Sequence, residues 1–451
     1  MNRSTAVLLA AMALAGSAQA ADAPAFKPVR SDEDYGYLRD VQDRQGLDPL
    51  RYIPLGGEAY LSLGGEARLR VDAIDSPRFG LDSERPDTFA LGRLLLSGDL
   101  RLTPALRVYG ELGLHRDIGK RDAPAAIDRD GVDAQVLFVD LAPAAGWRVR
   151  LGRQELQLNP TQRFIAVRES PNIRQSFDGL RVTRASGNLK LDAFYLQPVT
   201  PSPGAFDDER SRTQRFYGLY ASAKLSPRQT LDVYTLGLER DRVRFGAVNG
   251  DERRISLGAR LAGTAGAFDY DTEGVIQGGR FAGRRIRAFA ASASGGYTLD
   301  QSWKPRLALR LDVGSGDKDP TDGTLGTFNP LFPKGAYFNE TTLFSWGNLV
   351  SVRPSLGVTP RKGVSLEVSY TTHRRWTGAD AIYIQPLAPL APIGGDHAKA
   401  VGGATQLDGT WQVNRNLKLQ AQLVHQEAGP AIRALGGKPV NLAVLFTQIR
   451  F

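Results

Sequence analysis

The stretch Glu66-Ala67-Arg68-Leu69-Arg70-Val71-Asp72 sets four ionisable side chains at every second position, with apolar residues between them. In a β-strand successive side chains point to opposite faces, so this spacing gathers two carboxylates and two guanidinium groups on one side. The chemistry available to such a row is reversible binding. A guanidinium holds a carboxylate through two parallel hydrogen bonds and stays charged at every physiological pH. The pattern recurs along the chain. On the face opposite each apolar stripe fall Arg68, Arg70, Arg93, Arg107, Arg150, Arg181, Arg260, Arg310, Arg353 and seven further basic residues, sixteen against twelve acidic ones. The segment 151–182 adds Arg153 in its strand and Arg163, Arg168 and Arg174 against Glu169 in the connection that follows. Many of these charges are expected to pair across neighbouring strands. Salt screens a free charge beyond roughly 8 Å, so selectivity would rest on the few arginines at a constriction.

Covalent chemistry finds less support. The four histidines, His115, His373, His397 and His425, sit in no motif that pairs a nucleophile with a base. No cysteine is present, which removes thiol catalysis, metal-thiolate sites and disulfides together. Asp317, Asp319 and Asp322 in SGDKDPTDG resemble a calcium loop, but their spacing departs from the EF-hand pattern and no bidentate Glu follows. A solvated turn is the reading there, with calcium as the alternative. No catalytic residue, cofactor or firm metal site is therefore assigned.

The elements that position the arginines are strands. FALGRLLLSGDLRLT puts Leu94, Leu96, Leu100 and Leu102 on one face and Arg93, Ser97, Asp99 and Arg101 on the other, with Leu95 the one misfit. Eighteen such segments follow an acidic lead of helical character over 31–44, and short turns alternate with longer connections throughout. An even strand count, that alternation and one apolar face per strand predict an all-β fold: a transmembrane antiparallel barrel with short periplasmic turns and long extracellular loops. Lipid satisfies no backbone polar group, so the sheet must close, first strand to last. Strict alternation would turn Arg153 and Glu155 toward lipid, where an arginine costs about 2–4 kcal/mol at mid-bilayer. A bulge at Gly152 is therefore expected to return both to the lumen.

The ends agree. Residues 1–20 carry Arg3, an apolar run over 6–15 and Ala18-Gln19-Ala20, the pattern of a secretory signal peptide. Residues 21–57 then form a periplasmic N-terminal lead and 58–451 the barrel, placing the chain in the bacterial outer membrane. The net charge of +9 comes without a basic run or nucleic-acid motif, and export removes nucleic acid as a partner. LAVLFTQIRF ends on alternating Ala443, Leu445, Ile449 and Phe451, a closing strand whose last residue resembles the signal that such barrels present to their assembly machinery.

RYIPLGGEAYLSLGGEARLR at the first strand, LGRQEL and NIRQSFDGLRV in the middle, and GTFNPLFPKGAYF over 326–338 together resemble the alginate-export family of outer-membrane barrels, from about Arg51 to Phe451. The resemblance implies an eighteen-stranded barrel that passes a polyuronate through an arginine-lined pore gated by loops and a periplasmic element. It makes Arg153, Arg174 and Arg181 candidates for the constriction, and Arg68 and Arg70 part of the first-strand signature. The expected partners are an anionic polysaccharide, outer-membrane lipid, the assembly machinery and periplasmic export proteins. The expected function is passive export of an alginate-like polymer. An anion-selective porin taking up small carboxylates or uronate oligomers is the alternative, and a barrel-borne hydrolase the third reading.

Removal of Phe451 should reduce the amount of folded, heat-modifiable barrel in outer membranes more than it alters the conductance of what does insert. Normal insertion of the truncated chain would defeat this expectation.

Overall fold

The computed structural model describes residues 24–245, 248–390 and 398–451; the expected signal peptide and His397 lie outside them. Eighteen long strands run in chain order: β1 Ala59–Ile74, β2 Asp87–Thr103, β3 Leu106–Ile118, β4 Asp130–Leu141, β5 Trp147–Gln154, β6 Phe177–Ser186, β7 Leu189–Thr200, β8 Gln214–Ser226, β9 Gln229–Phe245, β10 Val248–Ala265, β11 Phe268–Phe281, β12 Arg284–Thr298, β13 Arg306–Gly314, β14 Leu349–Arg361, β15 Val364–Arg375, β16 Ala400–Gln412, β17 Leu417–Gln426 and β18 Val440–Arg450. Each pairs antiparallel with the next, and β1 pairs with β18 from Glu66↔Arg450 to Ile74↔Leu442, so the sheet closes as an outer-membrane barrel. Phe451 completes the seam by exchanging both backbone hydrogen bonds with Gly65, at 2.8 and 3.0 Å.

The period-two pattern is what permits this closure. Leu219, Leu151, Ile276, Leu309 and Leu445 are exposed apolar residues, Leu151 at 64% and Leu219 at 59%, and belong to a belt that surrounds the barrel. In water that belt would be untenable; against acyl chains it is the solvated surface. No helix among the described residues is long and apolar enough to cross a membrane. The misfit Leu95 is fully buried, within reach of the space beside Gly113.

Three expectations need correction. The strict alternation of short and long connections fails twice, because β9 and β10 stay paired out to Phe245↔Val248 and β11 and β12 out to Phe281↔Arg284, so that both pairs extend as hairpins. The segment 31–44 forms no continuous helix; it breaks into 3₁₀ turns at Arg30–Asp32 and Gly36–Asp40, followed by a single α-turn at Asp48–Arg51. No bulge forms at Gly152 either. The β4–β5 and β5–β6 ladders keep their register through Gly152, which takes a φ of +129° instead. Arg153 needs no bulge because it lies one residue from the end of β5, where Asp178 at 2.9 Å matches its charge.

Two of the long connections turn inward. Residues 155–176 and 315–348 meet through Ala166 N–H donating to Phe332 O at 2.8 Å and Phe332 N–H to Phe164 O at 2.9 Å. Their aromatic side chains build a dry core inside the barrel, where Phe332 packs on the wall residues Phe177 and Phe216, each at 5.0 Å between ring centroids, and Phe164 packs on Trp346 at 5.0 Å. The inside of the barrel near the long-connection end therefore carries an aromatic core alongside paired charges such as Arg254 and Glu252, 2.6 Å apart, and is polar toward the short turns.

Leu219→Arg should destabilise the lipid-inserted barrel by about 2–4 kcal/mol if the position lies near the midplane, measured by denaturant unfolding in liposomes. A change below about 1 kcal/mol would place Leu219 at an interface or out of the belt.

Candidate functional site

Alternation along β1–β3 and β18 turns Glu66, Arg68, Arg70, Arg93, Arg107, Glu111 and Arg450 into the lumen, where all but Arg450 are buried. A buried carboxylate or guanidinium is costly unless its partners are close, and here they are. Glu66 accepts from Arg93 at 2.6 Å, Arg30 at 2.9 Å, Gln448 at 2.8 Å and Arg450 at 3.2 Å. Arg30 also forks onto Glu111 at 2.6 and 2.7 Å. Arg93 continues to Glu169 at 2.5 Å, and Glu169 to Arg174, which forks onto Glu155 at 2.5 and 2.7 Å. Four arginines and four glutamates thus form one continuous, charge-balanced network. It ties the wall to the inward loop 155–176 and to the N-terminal lead.

The lead reaches this network because its backbone finds donors there. Arg107 donates to Ser31 O at 2.8 Å, Arg174 to Pro28 O at 2.6 Å and Arg450 to Lys27 O at 2.9 Å. Arg101 pairs with Asp34 at 2.6 Å, and the Tyr60 hydroxyl donates to the same residue at 3.0 Å. Residues 27–34 are thereby threaded into the short-turn mouth of the barrel, and Pro28 meets the tip of a loop that enters from the opposite end.

The remaining expected cations are mostly paired as well. Arg70 lies 2.6 Å from both Asp72 and Glu340, Arg107 2.6 Å from Asp99, and Arg150 2.7 Å from Asp140 while stacking 3.6 Å from the Phe138 ring. Arg163 reaches Asp271 at 2.6 Å and Glu273 at 2.9 Å, Arg181 reaches Asp192 at 2.8 Å, and Arg260 reaches Asp232 at 2.8 Å and Asp271. Arg310 pairs with Asp312 at 2.9 Å and Arg353 with Glu367 at 2.5 Å. Asp269, the third of the acidic row on β11, is matched by Arg306 at 2.6 Å. Arg153 stands apart, bonding to Asp178, Ala134 O and Asp208 O at the long-connection rim.

Among the described residues, Arg68, Arg168, Lys418 and Lys334 are cations associated with the lumen that have no carboxylate within 4.0 Å. Arg68 is buried and donates to Glu169 O at 2.6 Å, to Pro171 O and to Asn172 Oδ1 at 3.2 Å. Arg168 is half-buried, with Gln175 Oε1 at 3.3 Å, and Lys418 lies 5.0 Å over the Phe446 ring. Lys334, on the inward loop 315–348, is exposed. Arg30, the centre of the network, and Lys334 were missed from the sequence. The signal for Arg30 was present: two inward glutamates, Glu66 and Glu111, required a cation that the wall did not fully supply.

Two of the described histidines serve packing or the rim. His373 stacks 4.0 Å from the Phe344 ring, and His425 Nδ1 lies 2.7 Å from Asn441 Oδ1. Asp317 pairs with Arg284 at 3.0 Å, while Asp319 and Asp322 accept from the N–H groups of Thr321 and Thr324 at 2.9 and 2.7 Å. These three do not converge on a common point.

The fold is that of outer-membrane porins. The OpdQ structure from Pseudomonas aeruginosa superposes with a TM-score of 0.59 at 13% identity, over 87% of this chain and 98% of that one. OccK2 (OpdF) of the same organism, solved in complex with glucuronate, gives 0.56 at 12% over 87% and 98%, and OpdK with vanillate gives 0.57 at 11% over 86% and 98%. No curated protein matches the sequence. The sequence profile described as alginate export matches residues 59–446, which is nearly the whole barrel, and the chain therefore belongs to the alginate export family of outer-membrane channels.

Proposed function

We propose that this channel passes an anionic, alginate-like polysaccharide outward across the membrane, and that its selectivity rests on cations without carboxylate partners rather than on the arginine-rich wall as a whole. The observation that carries this reading is the contrast between paired and unpaired cations. A guanidinium already forked onto a carboxylate 2.5–2.9 Å away presents little net charge to a passing anion. Arg168, Lys334 and Lys418 keep theirs. A chain of carboxylates would move between such sites if each held it weakly enough to release it.

The N-terminal lead is the closed gate in this reading. Arg30 between Glu66 and Glu111, with Pro28 against Arg174, holds residues 27–34 in the mouth. Export requires the lead to withdraw, which leaves Glu66 and Glu111 with fewer donors. A periplasmic export partner that supplies a replacement cation would lower that cost. The second reading, uptake of small carboxylates, draws on a different observation: the inward loops 155–176 and 315–348 narrow the lumen with an aromatic core, as suits small solutes. The OccK2 and OpdK complexes hold such carboxylates.

In planar bilayers, Arg168→Glu combined with Lys334→Glu should lower the anion-to-cation permeability ratio at least about twofold, whereas Arg150→Gln, which leaves Asp140 on the wall with Arg107 at 3.4 Å, should change it less. Equal effects would move the filter to the wall. Arg30→Ala should raise the open probability and admit polyuronate block from the short-turn side, because loss of one partner of a buried pair costs about 3–5 kcal/mol; unchanged gating would remove the lead from the mechanism. Secretion of polymer by a deletion strain separates the two readings: normal secretion would leave uptake standing.

A further inference from the structure

At the long-connection rim, the loop 201–213 between β7 and β8 folds back over the start of β4. Phe206 N–H donates to Val132 O at 3.1 Å. The approach is so close at Gly131 that a Cβ there would lie 1.6 Å from Gly204 O. This brings Asp207 and Asp208 against Asp130, with one oxygen of each carboxylate within 4.8 Å of the other two, the one such group among the described residues. A fourth carboxylate, Asp133, accepts from the N–H groups of Asp207 and Asp208 at 2.8 and 3.1 Å. The one Lys or Arg within 4.0 Å of any of these four carboxylates, among the described residues, is Arg153, 3.5 Å from Asp133 and closer to Asp178.

The uncompensated charge is not confined to exposed side chains. Asp130 is 2% exposed, and its Oδ1 is buried without a hydrogen-bond partner. Its Oδ2 faces His115 Nδ1 at 4.0 Å; that ring is 1% exposed and neither of its nitrogens is hydrogen-bonded. A buried anionic oxygen with no donor is costly in a low-dielectric setting, and this one belongs to the group that converges.

We propose that Asp130, Asp207 and Asp208 bind a calcium ion that fastens the 201–213 loop to the barrel rim. All three donors are hard oxygens, and they lie within 4.8 Å of one another, close enough for one cation with bonds of about 2.4 Å to touch all three. Magnesium, which demands a strict octahedron and is usually held by one or two carboxylates with several waters, is less suited to a group of three carboxylates. Backbone carbonyls and water would complete a shell of six to eight oxygens. The ion would supply the positive charge that Arg153, engaged with Asp178, does not.

The test is calorimetric titration of the whole barrel, purified in detergent and free of lipopolysaccharide, with calcium chloride. One saturable site per chain is expected, with a dissociation constant on the order of 10⁻⁴–10⁻³ M as for extracellular calcium sites. Asp207→Asn, a change at an exposed side chain, should weaken binding at least tenfold and Asp208→Asn likewise, while Asp317→Asn leaves it unchanged. Should Asp130→Asn not fold, the Asp207 and Asp208 variants decide alone. Calcium should also slow proteolytic cleavage within 201–213 in the parent chain and not in Asp207→Asn. No saturable binding, binding unchanged in both variants, loss of binding in Asp317→Asn, or equal affinity for magnesium chloride would each overturn the assignment.

Discussion

Lipid offers no hydrogen bond to a peptide group, and every large feature of this protein follows from that. An open sheet edge in the bilayer would leave a row of N–H and C=O groups unpaired, so β1 must find β18, and the pairing from Glu66↔Arg450 to Ile74↔Leu442 is the price of residence in the membrane. Closure fixes the rest. Once the sheet is a cylinder, the period of two divides every strand between acyl chains and an enclosed space. What faces inward must then be solvated by other side chains, inward loops or water. The exchange of both backbone hydrogen bonds between Phe451 and Gly65 shows how far toward its end the chain is drawn into this requirement.

The enclosed space is resolved differently at its two ends. Near the long connections, two loops bring their own aromatic residues and pack them on Phe177, Phe194 and Phe216, which makes a core resembling that of a soluble domain turned inside a barrel. Toward the short turns the space is ionic. Its charges are buried, so they persist only in balance: Glu66 is satisfied by three arginines and Gln448, and the network around it extends until four positive and four negative groups cancel. The N-terminal lead belongs to that balance. Arg30 supplies charge that the wall alone lacks, and electrostatics holds residues 27–34 in place beside an apolar contact of Leu38 and Tyr52 with Tyr60 of β1.

The barrel itself was legible in the sequence because its defining signal is local. Alternation in FALGRLLLSGDLRLT, or in the terminal LAVLFTQIRF, needs no knowledge of the neighbouring strand, and eighteen repetitions make strand count and closure a matter of counting. What the period of two does not encode is the partner of an inward side chain. Arg70 looks like a pore residue in sequence, yet its guanidinium is occupied by Asp72, two positions along its own strand, and by Glu340, which arrives from a loop some 270 residues away. Leu236 and Leu238, two positions apart, are both buried midway along β9; the assumption of a uniformly polar lumen hid such places. The Gly152 expectation failed for a related reason. Alternation gave the face of Arg153 but not its depth, and at the rim a charge needs only Asp178, not a bulge.

The separation of paired from unpaired cations also divides the labour of the molecule. A guanidinium fixed between wall carboxylates cannot follow a moving substrate without abandoning a buried partner, which costs several kcal/mol, far more than the weak, repeated binding that transport requires. The groups free to exchange partners are those the wall has not claimed. Arg168 and Lys334 lie on inward loops, and both can be replaced without leaving a buried carboxylate unmatched. The arginine-rich wall thus chiefly keeps the inside of the cylinder electrically balanced, and under the proposed function permeation would be set by loop residues held within it. On this view substrate choice can change with two loops and the lead while the eighteen strands stay as they are.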